Sequence, residues 1–192
     1  MRIVLTVLRL FYRRYRFSGL LTRAAALLVC LAAATITLHP AWAGDLEIKV
    51  KAAYIYNFTK FVDWSDDGGR EPFRICVVGT DPIRTVLGEL SNREVKGRPI
   101  RIQRVKDLNA LPQCHLMFIS RSEEQQLPFI LQRLQGTQTL TVSDISQFSQ
   151  KGGMVSFITE KDRVKIEISQ RAVRQAGLKV SAKLFEIARV VP

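Results

Sequence analysis

Two short apolar runs, Phe73 to Gly79 (FRICVVG) and Cys114 to Ser120 (CHLMFIS), constrain this chain more than any other feature. Each is rich in β-branched and aromatic residues, too short for a buried helix, and followed at once by residues that start helices. After the first come Thr80, Asp81 and Pro82, an acid before a proline as at a helix cap and first helical position, so a helix is expected over 82–90. After the second comes Ser122, placed to cap a helix over 123–135 that Gly136 stops. Strands buried on both faces with helices between them are the pattern of β-α-β units, whose strands lie parallel.

The rest of the chain fits around these units. Residues 45–64 carry Leu46, Val50, Ala53, Tyr54, Phe58, Phe61 and Val62 near helical spacing and read as an amphipathic helix, closed by the turn cluster Ser65 to Gly69. Residues 100–105 alternate as an exposed strand, and Thr139 to Asp144 (TLTVSD) reads as a further buried one. Gly152 and Gly153 precede a hairpin pattern, 154–159 and 164–168 around a polar turn at Glu160 to Asp162. Two closing helices are expected over 170–176 and 181–190, the second with Leu184, Ile187 and Ala188 on one face. The expected fold is α/β: a central mixed sheet with two β-α-β units and a C-terminal β-hairpin, flanked by helices as a three-layer sandwich.

The first 23 residues hold six arginines and no acid, and an apolar run from Ala24 to Leu38 follows. Pro40 then breaks the helix, and Ala41-Trp42-Ala43 offers small residues at a cleavage site before Gly44. This is the layout of a signal peptide over 1–43, leaving one domain over 44–192. The alternative, an uncleaved anchor, needs about 20 apolar residues, and this run has 15. Tyr12 and Tyr15 fit a twin-arginine signal poorly, and Val29 before Cys30 is wrong for lipidation. Cleavage also halves the charge: 29 basic side chains fall to 23 against 17 acidic, and a net +12 becomes +6. An excess of that size, scattered along the chain, is a solvated surface and does not call for a nucleic-acid partner.

Two cysteines remain after cleavage, Cys76 and Cys114. In an exported chain such a pair is most simply a disulfide, with two buried free thiols as the alternative. Two distant cysteines and the single mature histidine, His115, supply too few ligands for a metal, and no cofactor is expected. GxGxxG, Walker, HExxH and GxSxG signatures are absent, and His115 lies inside an apolar strand, so no enzyme is expected. Parallel strands would bring Thr80, Asp81, Ser120, Ser122, Ser143 and Asp144 to their carboxyl ends, where open α/β sheets bind ligands. A small ligand or anion there is one reading; caps and turn formers are the other. Tyr56 falls off the apolar stripe of the first helix and is a candidate partner contact, as is the region of Gly152 and Gly153.

Together KAAYIYNFTKFVDWS, FRICVVGTDP, CHLMFIS, TLTVSDISQFSQKGGMVSF and VKIEISQRAVRQAGLKVSAKLFEIARVV resemble the YfiR family over essentially the whole mature chain. The resemblance implies a periplasmic, dimerising regulator that binds the extracytoplasmic sensor region of an inner-membrane diguanylate cyclase and represses it, lowering cyclic di-GMP and biofilm formation. It also implies a disulfide, for which the matching residues are Cys76 and Cys114. Some relatives carry a second cysteine pair near the Gly-Gly segment; this chain has none there, and it has Ile168-Ser169 where the family often has Ile-Asn. The rival reading is a periplasmic small-ligand-binding protein using the strand-end groove.

Overall fold

The computed structural model describes residues 42–64 and 72–192, which belong to one compact unit. The expected signal segment and the turn cluster at 65–69 lie outside the described residues, apart from the last two residues of the former. An eight-stranded sheet forms the centre, with strand order β10-β8-β7-β6-β5-β2-β4-β3, β3 being the short edge strand Glu94–Val95, antiparallel to β4. The inner strands are β2 (Phe73–Val78), β5 (Leu116–Ile119) and β6 (Leu140–Ser143), with β4 (Arg98–Val105) beside β2 and β7 (Val155–Glu160) beside β6, all parallel. Every residue of β5 and β6 is buried, as expected for apolar runs covered on both faces.

Alternation along the strands divides the core in two. Phe73, Ile75 and Val77 with Leu116 and Phe118 pack under helix α1 (Trp42–Phe61) and helix α2 (Ile83–Gly88). Cys76, Val78, Met117 and Ile119 face the other way, under Leu127 and Ile130 of helix α3 (Leu127–Arg133) and under Ile145 and Phe148. Helices therefore cover both faces of a mixed sheet, which is the α/β sandwich expected.

The differences from the sequence reading have identifiable causes, some of them distant in the chain. Helix α1 ends at Phe61, not Trp64, because Val62–Asp63 (β1) pairs antiparallel with Lys179–Val180 (β9) and the Ser181 N–H donates to the Phe61 carbonyl at 2.8 Å. The buried stripe of α1 is Lys51, Ala52, Ile55, Phe58 and Thr59, while Leu46 is 64% exposed and Ala53 also faces water. After β5 the chain first makes a 3-10 turn, Arg121–Gln126, and only then α3. Pro128 explains the break, since it has no N–H to continue an α ladder. The cap is Ser120, whose side chain accepts from the Ser122 N–H, rather than Ser122 itself.

The end of the chain departs further. Helix α4 (Gln170–Gln175) forms as expected, but the last helix, α5, spans only Ala182–Glu186. Arg189–Val191 then becomes strand β10, parallel to β8 (Arg163–Ser169), and Ile187 is 60% exposed rather than on a buried face. An Arg-Val-Val run with two β-branched residues beside the open side of β8 gains ladder bonds that a further helical turn could not match. Strands β7 and β8 form the expected hairpin, and its turn is Lys161-Asp162, both at positive φ (50° and 59°) as a two-residue hairpin of the primed kind requires. Gly152 and Gly153 lie at the other end of β7, away from that turn.

Gly153 is buried, and a Cβ there would overlap the ring of Phe148, itself fully buried. Gly153→Ala is therefore expected to cost about 1–3 kcal/mol through overpacking, measured as a lower urea midpoint with an unchanged slope.

Candidate functional site

The parallel pairing of β2, β5 and β6 brings the six strand-end residues to the carboxyl end of the inner strands, and three of them, Thr80, Ser120 and Ser122, bond one another. The Thr80 N–H donates to Ser122 Oγ at 3.0 Å, and Ser120 Oγ donates to the Thr80 carbonyl at 3.1 Å. Gly79 sits at φ +89° beside Ser122 and Glu123, so close that a side chain would collide with both. Ser143 Oγ donates to the Ile119 carbonyl at 2.6 Å and accepts from the Ile145 N–H at 3.0 Å. Asp81 accepts from the Ile83 N–H at 2.8 Å and so starts α2. The cap and turn roles are thus all in use.

Asp144 differs, because its partners come from elsewhere in the chain. Lys51, buried on α1, places Nζ 2.8 Å from Asp144 Oδ2 and 2.8 Å from Glu47 Oε1 one turn earlier. Arg121 Nη2 donates to the Asp144 carbonyl at 2.8 Å. The second carboxylate oxygen, Oδ1, is buried with no hydrogen-bond partner among the described residues. Burial pulls the Lys51 ammonium down, but hydrogen bonds to Asp144 and Glu47 outweigh it and hold its pKa above the ordinary value. Burial, helped by the facing Asp144 charge, pushes Asp81 up from its usual 3.8 against the Ile83 N–H and the charges of Lys51 and Arg121. Reading the sequence for strand ends missed Lys51. Its signal was a lysine heading the 51, 55, 58, 62 stripe with a glutamate four residues before it.

No histidine stands beside the strand-end serines; the carboxylate there is Glu123, whose Oε1 accepts from Ser122 Oγ at 3.2 Å. His115 lies at the amino end of β5, the opposite end from Ser120 and Ser122. Its Nδ1 accepts from the Arg74 N–H at 2.9 Å, its Nε2 lies 3.0 Å from Arg98 Nη2, and its ring stacks on Phe73 with centroids 4.6 Å apart. A half-buried histidine held this way has a packing role at the amino end of the strand. Among the described residues no group of three or more His, Cys, Asp and Glu could hold a metal ion.

Cys76 and Cys114 are joined as a disulfide, with Cα atoms 6.0 Å apart, an ordinary spacing for such a bridge. Both are buried, under α3. Tyr56 is half-buried, with Lys60 Nζ 4.3 Å from its ring centroid and the Arg93 guanidinium at 5.2 Å, so cations already occupy its ring. Gly152 is exposed, and Gly153 is not.

A protein-family profile described as YfiR/HmsC-like matches residues 48–189. The chain belongs to the YfiR/HmsC-like family. The match takes in both cysteines, the strand-end cluster and the Gly-Gly segment, and reaches the first residue of β10. In this YfiR/HmsC-like domain the Glu47 end of the buried ion pair stands just outside the matched span, while Lys51 and Asp144 are inside it. No individual curated protein matches the chain. Among the described residues no helix is long and apolar enough to cross a membrane.

Two predictions follow from the charges at the strand ends. Lys51→Met leaves the Asp144 carboxylate buried without its cation and should cost about 3–5 kcal/mol in urea unfolding. Because the folded state raises the Asp81 pKa, this group contributes stability at low pH that is lost as pH rises through the folded value. Asp81→Asn keeps an acceptor for the Ile83 N–H and removes that loss. Its urea midpoint should therefore rise relative to the unmodified protein as pH goes from about 3.5 to 7; a difference independent of pH would contradict the assignment.

Proposed function

We propose that this protein is a non-enzymatic periplasmic regulator that binds the extracytoplasmic sensor region of an inner-membrane diguanylate cyclase and represses it. The observation that carries the reading is the YfiR/HmsC-like match along 142 residues, 48–189. A buried disulfide suits an exported protein, and a signal peptide over 1–43 with cleavage before Gly44 would deliver it there. The strand-end polar groups, spent on caps and on an internal ion pair, give catalysis little to work with.

Repression by binding is a population shift. The protein must hold the inactive sensor more tightly than the active one, since equal affinity shifts nothing, and turning a 99:1 equilibrium over takes about a ten-thousand-fold preference. Contact through the exposed side of α1, where Leu46, Lys49, Ala53 and Asn57 face water, and through the region of Gly152 belongs to the same proposal, as does a homodimer. Release of the sensor would raise cyclic di-GMP and favour biofilm. Deleting the gene in its host should therefore raise cellular cyclic di-GMP, measured by mass spectrometry, and restoring it should reverse the rise. An unchanged level in the deletion strain would refute the repressor reading.

A further inference from the structure

The two edges of the eight-stranded sheet are finished differently. At one, β10 covers Glu167 to Ser169 of β8, and Lys165 and Arg189 there are both paired with Glu160, at 2.7 and 2.8 Å. At the other, β3 pairs with β4 only at Arg98 and Pro99, and among the described residues no strand continues beside Ile100 to Val105 on the side away from β2. The Ile100 N–H is turned to that outer side, where it donates to the Arg93 carbonyl at 3.1 Å. Backbone groups along a strand alternate in direction, so those of Ile102 and Arg104 face the same way, and no partner among the described residues meets them.

The side chains along this edge carry one sign of charge. Residues 93–106 hold six basic residues against one acid, Glu94. Lys96 pairs with Asp63 and Arg93 lies over the Tyr56 ring, but Arg101, Arg104 and Lys106 are exposed and make no ion pair or side-chain hydrogen bond among the described residues. The next acid, Asp107, accepts from the Asn109 N–H at 2.9 Å. Arg101 and Arg104, three positions apart in β4, project from opposite faces of the strand. An open ladder is therefore flanked by positive charge on both faces.

Charge of this kind guards an edge against a second copy of the chain, since two such strands laid side by side would set arginine against arginine. It does the opposite for an acidic strand, which would complete the ladder and the ion pairs together. We propose that the free edge of β4 docks an extended acidic segment of a partner protein, which adds a ninth strand through the backbone groups of Ile102 and Arg104 and sets carboxylates against Arg101 and Arg104. The proposal rests on this edge alone and does not depend on the regulator reading.

The probe is a capped, fluorescently labelled peptide of valine-threonine-glutamate repeats, whose acids fall on both faces of a strand. Added at neutral pH to protein expressed from the full-length gene, it should bind saturably and slow hydrogen exchange at the Ile102 and Arg104 amides about tenfold or more. The same peptide with lysine for glutamate should not bind. A peptide with proline for valine and threonine keeps the charge but cannot pair as a strand, and should bind at least about tenfold more weakly. Arg101→Gln together with Arg104→Gln removes both ion pairs to the peptide and should weaken binding about tenfold, while Arg163→Gln, at the start of β8, should leave it unchanged. No saturable binding, equal binding of the proline peptide, binding without protection of those two amides, or unaltered affinity in an Arg101→Gln, Arg104→Gln protein of unchanged circular dichroism would overturn the proposal. So would protection of those amides that rises with protein concentration alone, which would assign the edge to a second copy.

Discussion

The pairing of β2 with β5 governs the rest of the molecule. Ile75 to Val78 lie beside Leu116 to Ile119 in parallel register, every one of them buried, and the Cys76–Cys114 bridge ties the same two strand regions together. A bridge closing a separation of 38 residues contributes about 4 kcal/mol by restricting the unfolded chain. Parallel neighbours cannot be joined by a tight turn, so the chain must cross over a face between them, and those crossovers become α2 and α3. Two layers of helices, two separate cores and two chemically different ends of the sheet all descend from that one pairing.

The two ends are used differently. At the carboxyl ends the serines and threonine close on one another and Lys51 crosses from α1 to neutralise Asp144, so α1 is fastened to the sheet by a buried charge pair as well as by Ile55 and Phe58. Buried pairs of this kind contribute less to net stability than to holding one arrangement of the elements, because desolvation offsets much of their attraction. At the amino ends, the loop before β5 is tied to the end of α3 by Arg133, whose Nη2 donates to the Asn109 carbonyl, and a pocket opens beside Trp64, Pro112 and Leu134.

The inner strands and the hairpin were legible because their signal is local: continuous apolar runs ended by Thr80, Ser120 and Asp144, and alternation around Lys161-Asp162. What escaped was decided by partners distant in the chain. Val62 and Asp63 leave the helix only because Lys179 and Val180 are there to pair with them, and Arg189 to Val191 become a strand only because β8 has a free side. Residues 189–191 read equally well as a helical turn until that neighbour is known. In the candidate site, the turn bond of Asp81 and the cap at Ser120 follow from residue type, while the Lys51–Asp144 contact spans 93 residues and has no local trace beyond a lysine on an apolar stripe with Glu47 four residues before it. Tyr56 lies off that buried stripe, its half-buried ring flanked by Lys60 and Arg93.

The central claim is that this YfiR/HmsC-like domain represses a cyclase by direct contact with its sensor. The most direct measurement is the rate of cyclic di-GMP synthesis by the host's membrane cyclase, reconstituted in nanodiscs with its extracytoplasmic region intact, as purified protein is added. A saturable fall in rate is predicted, absent when the sensor region has been deleted from the cyclase. A rate unchanged at saturating protein, or an equal fall without the sensor region, would contradict the account.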